Sequence, residues 1–105
     1  MPGESSPPAA IDLTARVARS PEVLFQELDG EAVLLNLQSE RYFGLDAVGT
    51  RVWELLAEPA SLDAVRETLL AEFEVEPNQV RADLLELVGE LAGAGLVTVE
   101  HGAGR

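Results

Sequence analysis

The sequence predicts an α+β domain of the winged helix-turn-helix type, in which a three-stranded antiparallel meander is followed by three helices. Short apolar runs separated by turn signals occupy residues 23–45. From residue 46 onward, apolar residues recur at helical spacing in three segments that are bounded by capping residues and prolines. Strands that precede the helices, rather than alternating with them, are typical of the α+β class.

The meander is predicted from two turns. Asp29-Gly30 is the strongest hairpin signal in the chain and joins a strand over residues 23–28 to a second strand over residues 32–37. A polar turn at residues 38–40 then leads into a third strand over residues 41–45. Three short strands bury too little surface to be stable alone, so the helices must cover one face.

The helices are predicted from their ends. Asp46 is an N-cap for a helix over residues 47–57, and Ser61 is an N-cap for the second helix. Pro77 suits the first position of the third helix, where its missing N–H is not needed. A final short strand is expected at residues 96–99.

The length of 105 residues is that of one domain. We expect flexible tails at residues 1–20 and 101–105 around a domain at residues 21–100, because the first segment is rich in Pro, Ser and Ala without periodicity. The sequence has neither a signal peptide nor an apolar run of about 20 residues, the length that crosses a bilayer. We therefore expect a cytoplasmic protein without a membrane partner. Basic residues that are all Arg, with abundant Ala and Gly, are typical of a GC-rich bacterial genome.

Composition excludes several kinds of chemistry. The chain has no Cys and one His, so it contains neither a thiolate metal site nor a histidine zinc site. Without Lys there is no Schiff-base chemistry. The acidic residues fall on predicted exposed helix faces, and His101 lies in a Gly-rich tail. We expect no catalytic residue, no metal and no cofactor, and hence no enzyme.

The net charge of −12 disfavours nucleic acid as a partner, because it repels phosphates. A recognition helix should carry basic residues. The third helix instead carries Asp83, Glu86 and Glu90 against one Arg81.

The third strand is the best candidate for a binding site. If Phe43 and Leu45 face the core, Tyr42 and Gly44 lie on the opposite face. A free backbone edge on this strand can accept an extended peptide, whose side chains would enter a groove beside the third helix. Arg41 at the start of the strand is placed to pair with carboxylates of that peptide. The alternative is a strand that serves packing alone.

On the third helix, Val80 and Leu84 belong to the apolar face, and Arg81 and Leu85 lie at its margin. That margin is wider than the core needs, which suits a partly exposed groove. We expect Arg81, like Arg41, to pair with peptide carboxylates.

Two segments of the chain resemble the PqqD-like family. They are residues 41–56, with the sequence RYFGLDAVGTRVWELL, and residues 80–88, followed by Gly95-Leu96-Val97. The likeness extends over about residues 23–99. Members of the family include the small peptide chaperone of PQQ biosynthesis and the recognition elements for ribosomally made, modified peptides.

The resemblance implies a winged-helix-like fold that binds the leader of a precursor peptide as an extra antiparallel strand on the third strand, beside the third helix. It implies no chemistry by the chain itself, which would present the precursor to a modifying enzyme such as a radical SAM enzyme, or to a leader protease. The peptide-binding residues that it implies are Arg41, Tyr42, Phe43, Gly44, Val80, Arg81, Leu84 and Leu85. The alternative function is a winged-helix regulator that acts through protein contacts or DNA.

Overall fold

The computed structural model describes residues 11–100 and contains two small sheets and three helices. The elements in chain order are β1 (Arg16–Arg19), β2 (Val23–Leu28), β3 (Glu31–Asn36), β4 (Arg41–Leu45), α1 (Ala47–Leu55), β5 (Ala60–Ser61), α2 (Leu62–Glu72), α3 (Pro77–Gly93) and β6 (Val97–Glu100). The predicted α+β class, the meander and the three helices that follow it are confirmed. No helix within residues 11–100 is both long enough and apolar enough to span a membrane.

The meander consists of β2, β3 and β4, paired antiparallel with β3 in the centre. Asp29 and Gly30 both have positive φ, at 57° and 82°, which is the backbone of a tight hairpin turn whose twist matches that of the strands. On the inner face, Ala32 and Leu34 of β3 are buried, so this face of the sheet packs on the core. The outer face carries Val33, which is exposed.

A second sheet contains the two elements that the sequence analysis missed, β1 and the two-residue strand β5. β1 is its central strand and pairs antiparallel with both β5 and β6. Ala15 and Val17 have no exposed surface, so the expectation of a flexible tail over residues 1–20 is wrong for this part of the chain. The residues that pair with β1 lie more than 40 residues away along the chain, so the local sequence does not predict this pairing. The predicted tails at residues 1–10 and 101–105 lie outside the described residues.

Each helix begins at a side chain that accepts a backbone N–H. Asp46 accepts from Gly49 N at 2.8 Å, and Ser61 accepts from Ala64 N at 3.2 Å, as expected of the two predicted N-caps. Glu76 caps α3 in the same way, directly before Pro77. Pro77 occupies the start of α3 as predicted.

The core lies between the inner face of the meander, the second sheet and the helices. Its largest fully buried side chains are Val17, Leu34, Val52, Trp53, Leu56, Leu62, Val65, Leu69, Val88, Leu91 and Leu96. Arg19 of β1 closes this core over Trp53: its guanidinium lies 4.7 Å from the centre of the indole ring, and its Nε donates to the Trp53 carbonyl oxygen at 3.1 Å. Burial lowers the pKa of Arg19 from its ordinary value.

Candidate functional site

β4 is an edge strand. It pairs with β3 on one side and has no strand partner on the other within residues 11–100. Along an edge strand, alternate residues direct their N–H and C=O groups away from the sheet, where those groups can bond a further strand. The free edge that was predicted for the third strand is therefore present in the structure.

The side chains of β4 alternate as predicted. Leu45 is buried and Phe43 is partly buried against the core, whereas Tyr42 is 73% exposed and Gly44 is exposed on the outer face. Tyr42 lies directly opposite Leu35 across the meander. A further strand on β4 would thus have Phe43 on one face and Tyr42 on the other.

Two contacts relate helix α3 to the ends of β4. Asn36, which pairs with Arg41 at the start of β4, donates from Nδ2 to the carbonyl oxygen of Ala94 at 2.9 Å. This bond holds the C-terminal end of α3 beside the start of β4. At the other end of the strand, Asp46 and the residues around Leu84 of α3 line one shared groove.

The groove has a volume of about 480 Å³ and lies between the three helices, next to Asp46, the residue that follows β4. Its apolar lining comes from all three helices and the segment before α3: Val48, Val52, Leu69, Val75, Val80, Leu84 and Leu87. Although they are apolar, Val48 and Val75 are 37% and 39% exposed, as expected of residues that line an open groove rather than a core.

Of the helix residues predicted for the site, the structure brings two to the groove. Val80 and Leu84 line it. Arg81 and Leu85 are absent from its lining, because their positions place them on the opposite flank of α3 from Asp83 and Leu87. Sequence spacing predicted the apolar face of α3, and the groove lies on the Asp83 margin of that face rather than on the Arg81 margin.

The polar lining of the groove is acidic. It consists of Asp46, Gln79, Asp83, Glu86 and Glu90. Asp46 is engaged as the N-cap of α1, and Asp83 accepts a hydrogen bond from the Gln79 amide at 2.9 Å. Within residues 11–100, no basic residue contributes to the lining. These residues were not predicted as site residues, although the acidic character of α3 was evident in the sequence.

The remaining predicted residues, Arg41, Tyr42, Phe43 and Gly44, lie on β4 itself rather than in the groove. Because Asp46 follows β4 by one residue, the strand leads directly into the groove. A peptide whose backbone bonds to β4 can reach this groove with side chains near Asp46.

Within residues 11–100, no group of three or more His, Cys, Asp or Glu side chains is arranged to hold a metal ion. His101, the one histidine, lies outside that range.

The chain is similar to two structures of leader-peptide complexes. The first, TbiB1 in complex with the TbiA(β) leader peptide, is 36% identical, with a TM-score of 0.70 over 84% of this chain and 99% of that one. The second, a lasso peptide synthetase B1 complexed with the leader peptide, is 27% identical, with a TM-score of 0.68 over 78% of this chain and 96% of that one. A comparison with curated proteins gives no match.

The sequence profile of the family described as coenzyme PQQ synthesis protein D matches residues 31–97, from the start of β3 to the start of β6. This range includes β4, the groove and the whole of α3. The chain therefore belongs to the PqqD family.

Proposed function

We propose that this chain binds the leader segment of a ribosomally synthesised precursor peptide as an additional antiparallel strand on β4, and presents the precursor to a modifying enzyme. The observation that carries the proposal is the free edge of β4, which ends directly before Asp46 in the lining of an apolar groove. The two similar structures, TbiB1 and a lasso peptide synthetase B1, each hold a leader peptide.

Strand addition fits the chemistry of this surface. The backbone of β4 offers affinity that depends little on the guest's sequence, and the groove offers selectivity for its side chains. Ordering a disordered leader costs several kcal/mol, so tight binding requires apolar anchors. Val48, Val75 and Leu87 are placed to receive such anchors.

Presentation requires no catalytic group in this chain. A leader held on β4 keeps the attached core peptide at a high effective concentration near an enzyme that binds the same complex. The enzyme is of the kind that modifies or cleaves precursor peptides, such as a radical SAM enzyme or a leader protease.

A DNA-binding regulator has no support from the site. The face of α3 that remains accessible beside the groove carries Asp83, Glu86 and Glu90, which repel phosphates.

The proposal is tested by titrating the ¹⁵N-labelled protein with the leader peptide of the precursor encoded beside its gene, and with a scrambled peptide of the same composition. We expect amide shifts in β4 and on the Leu87 flank of α3 with the leader alone. A folded protein whose spectrum responds equally to both peptides, or to neither, would contradict specific leader binding.

The mode of binding is tested separately by methylating the backbone nitrogen of each leader residue in turn. An added strand donates hydrogen bonds to β4 from alternate residues, so affinity should fall at every second position of the bound segment. The protein is unchanged in this series, and its stability therefore does not affect the result. If affinity falls without alternating between successive positions, the leader does not bind as a strand.

A further inference from the structure

The groove is negatively charged, whereas the predicted site residues Arg41 and Arg81 would have made it positively charged. Sequence analysis placed Arg41 and Arg81 beside the peptide, where they would pair with carboxylates. In the structure, Arg81 lies on the opposite flank of α3 from the groove, and the groove is lined by Asp46, Asp83, Glu86 and Glu90 without a basic residue.

Among residues 11–100, no ion pair involves these carboxylates. The ion pairs among residues 11–100 join Arg51 to Glu54 and Glu72, and Arg66 to Asp63, all outside the groove lining. Arg19 is fixed over Trp53.

Among residues 11–100, Arg41 is the one basic residue on β4 or in the groove lining, and it lies at the far end of β4. Arg41 precedes Asp46 by five residue steps of extended chain, a distance of about 16 Å. Charges on the surface are largely screened beyond about 8–10 Å at physiological ionic strength. The acidic lining therefore keeps its negative potential where the guest side chains enter.

We propose that the groove selects leader segments that carry Lys or Arg beside their apolar anchors. This inference rests on the proposed function and specifies its substrate. Aliphatic stems of Lys and Arg can pack along the apolar lining while their charged ends reach Asp83, Glu86 and Glu90 at the rim. An acidic side chain in the same place would be repelled, so the rim also excludes acidic segments.

The test uses a displayed library of random linear peptides, which requires no knowledge of the natural leader. It is selected against three proteins: the wild type, a groove variant with Asp83→Asn, Glu86→Gln and Glu90→Gln, and a control variant with Glu22→Gln, Glu58→Gln and Glu67→Gln. Both variants have the same net charge, and the control changes exposed carboxylates away from the groove. Thermal unfolding establishes that both variants are folded.

We expect peptides selected by the wild type and the control variant to be enriched in Lys and Arg within two residues of apolar side chains, and those selected by the groove variant to lack this enrichment. A wild-type peptide should bind the groove variant about three- to tenfold more weakly, since each exposed charge pair contributes a fraction of a kcal/mol. This loss should shrink as NaCl is raised.

The outcomes separate the two proposals. If the wild type selects linear peptides with no more Lys and Arg than the groove variant does, the charge selectivity is wrong and peptide binding stands. If the control variant loses the enrichment as fully as the groove variant, overall charge is the cause, and the groove assignment is overturned. If the wild type selects no linear peptide, both proposals fail.

Discussion

The side chain of Asn36 donates to the carbonyl oxygen of Ala94 across 58 residues of sequence, and this bond ties the meander to the end of α3. Asn36 is 8% exposed, and its Oδ1 also accepts from the backbone N–H of Gln38 at 2.9 Å. One side chain therefore bonds a backbone N–H of the turn before β4 and a backbone carbonyl at the end of α3. This contact fixes the C-terminal end of α3 against the end of β3.

Gly95 should not tolerate a side chain, because its φ is +75° and an added Cβ would lie 2.9 Å from the Asn36 amide nitrogen. We expect Gly95→Ala to lower the free energy of unfolding by about 1–2 kcal/mol or more, measured by urea denaturation. Gly93→Ala is the matched control, since nothing lies within 4 Å of its added Cβ. Equal stability of the two variants would show that the turn at Gly95 relaxes freely.

Tyr42→Ala should weaken leader binding without changing stability, because Tyr42 is 73% exposed beside the free edge. We expect affinity to fall by about five- to thirtyfold, the range for removing an aromatic contact worth 1–2 kcal/mol. Calorimetric titration measures this. Leu28→Ala, at a site that is 75% exposed on the same face but on β2, should bind normally. A leader that does not distinguish the two variants would not lie on β4.

Val17→Ala tests the strand that sequence analysis assigned to a flexible tail. Val17 has no exposed surface, and removing two methyl groups from it should cost about 2 kcal/mol of unfolding free energy. The exposed neighbour Arg16, changed to Gln, should alter stability by less than about 0.5 kcal/mol. A Val17→Ala protein as stable as the wild type would mean that β1 contributes nothing to the fold.

Local signals predicted the meander and the helices well. Asp29-Gly30, Asp46, Ser61 and Pro77 each fix backbone geometry by their own chemistry, and all four lie where they were expected. β1 was not predicted because its partner strands are distant in sequence. In addition, the four residues Arg16–Arg19 are too few to show a hydrophobic pattern typical of a strand.

The strand part of the site could be predicted from local sequence, whereas the helix part depends on tertiary packing. β4 and its faces follow from alternation, which is local. Which flank of α3 faces the groove depends on how the helix packs against α1 and β4, so the apolar stripe centred on Leu84 could not distinguish Arg81 from Asp83.

The ion pair between Arg51 of α1 and Glu72 of α2 should make stability sensitive to acid. Two hydrogen bonds of 2.8 Å join the guanidinium to this carboxylate and hold the pKa of Glu72 below its ordinary value. A lowered pKa stabilises the folded protein above the ordinary carboxyl pKa, and this contribution is lost as the pH falls through the value in the folded protein.

Comparison of Glu72→Gln with the wild type measures that contribution. We expect the variant to have a slightly lower Tm at neutral pH, a difference kept small by partial exposure of the pair, and the two Tm values to converge in acid. Glu67→Gln, an exposed position of the same helix, is the control. A difference in Tm that stays constant down to strongly acidic pH would show that the pair does not titrate.

The open edge of β4 exposes the protein to its own copies as well as to a guest. Unpaired backbone groups with apolar neighbours are a template on which any extended strand can pair, including β4 of another molecule. A charge of −12 on 105 residues makes every such encounter repulsive, while a cationic guest is attracted. The acidity of the chain thus protects the edge from self-association, the hazard that an open recognition strand creates.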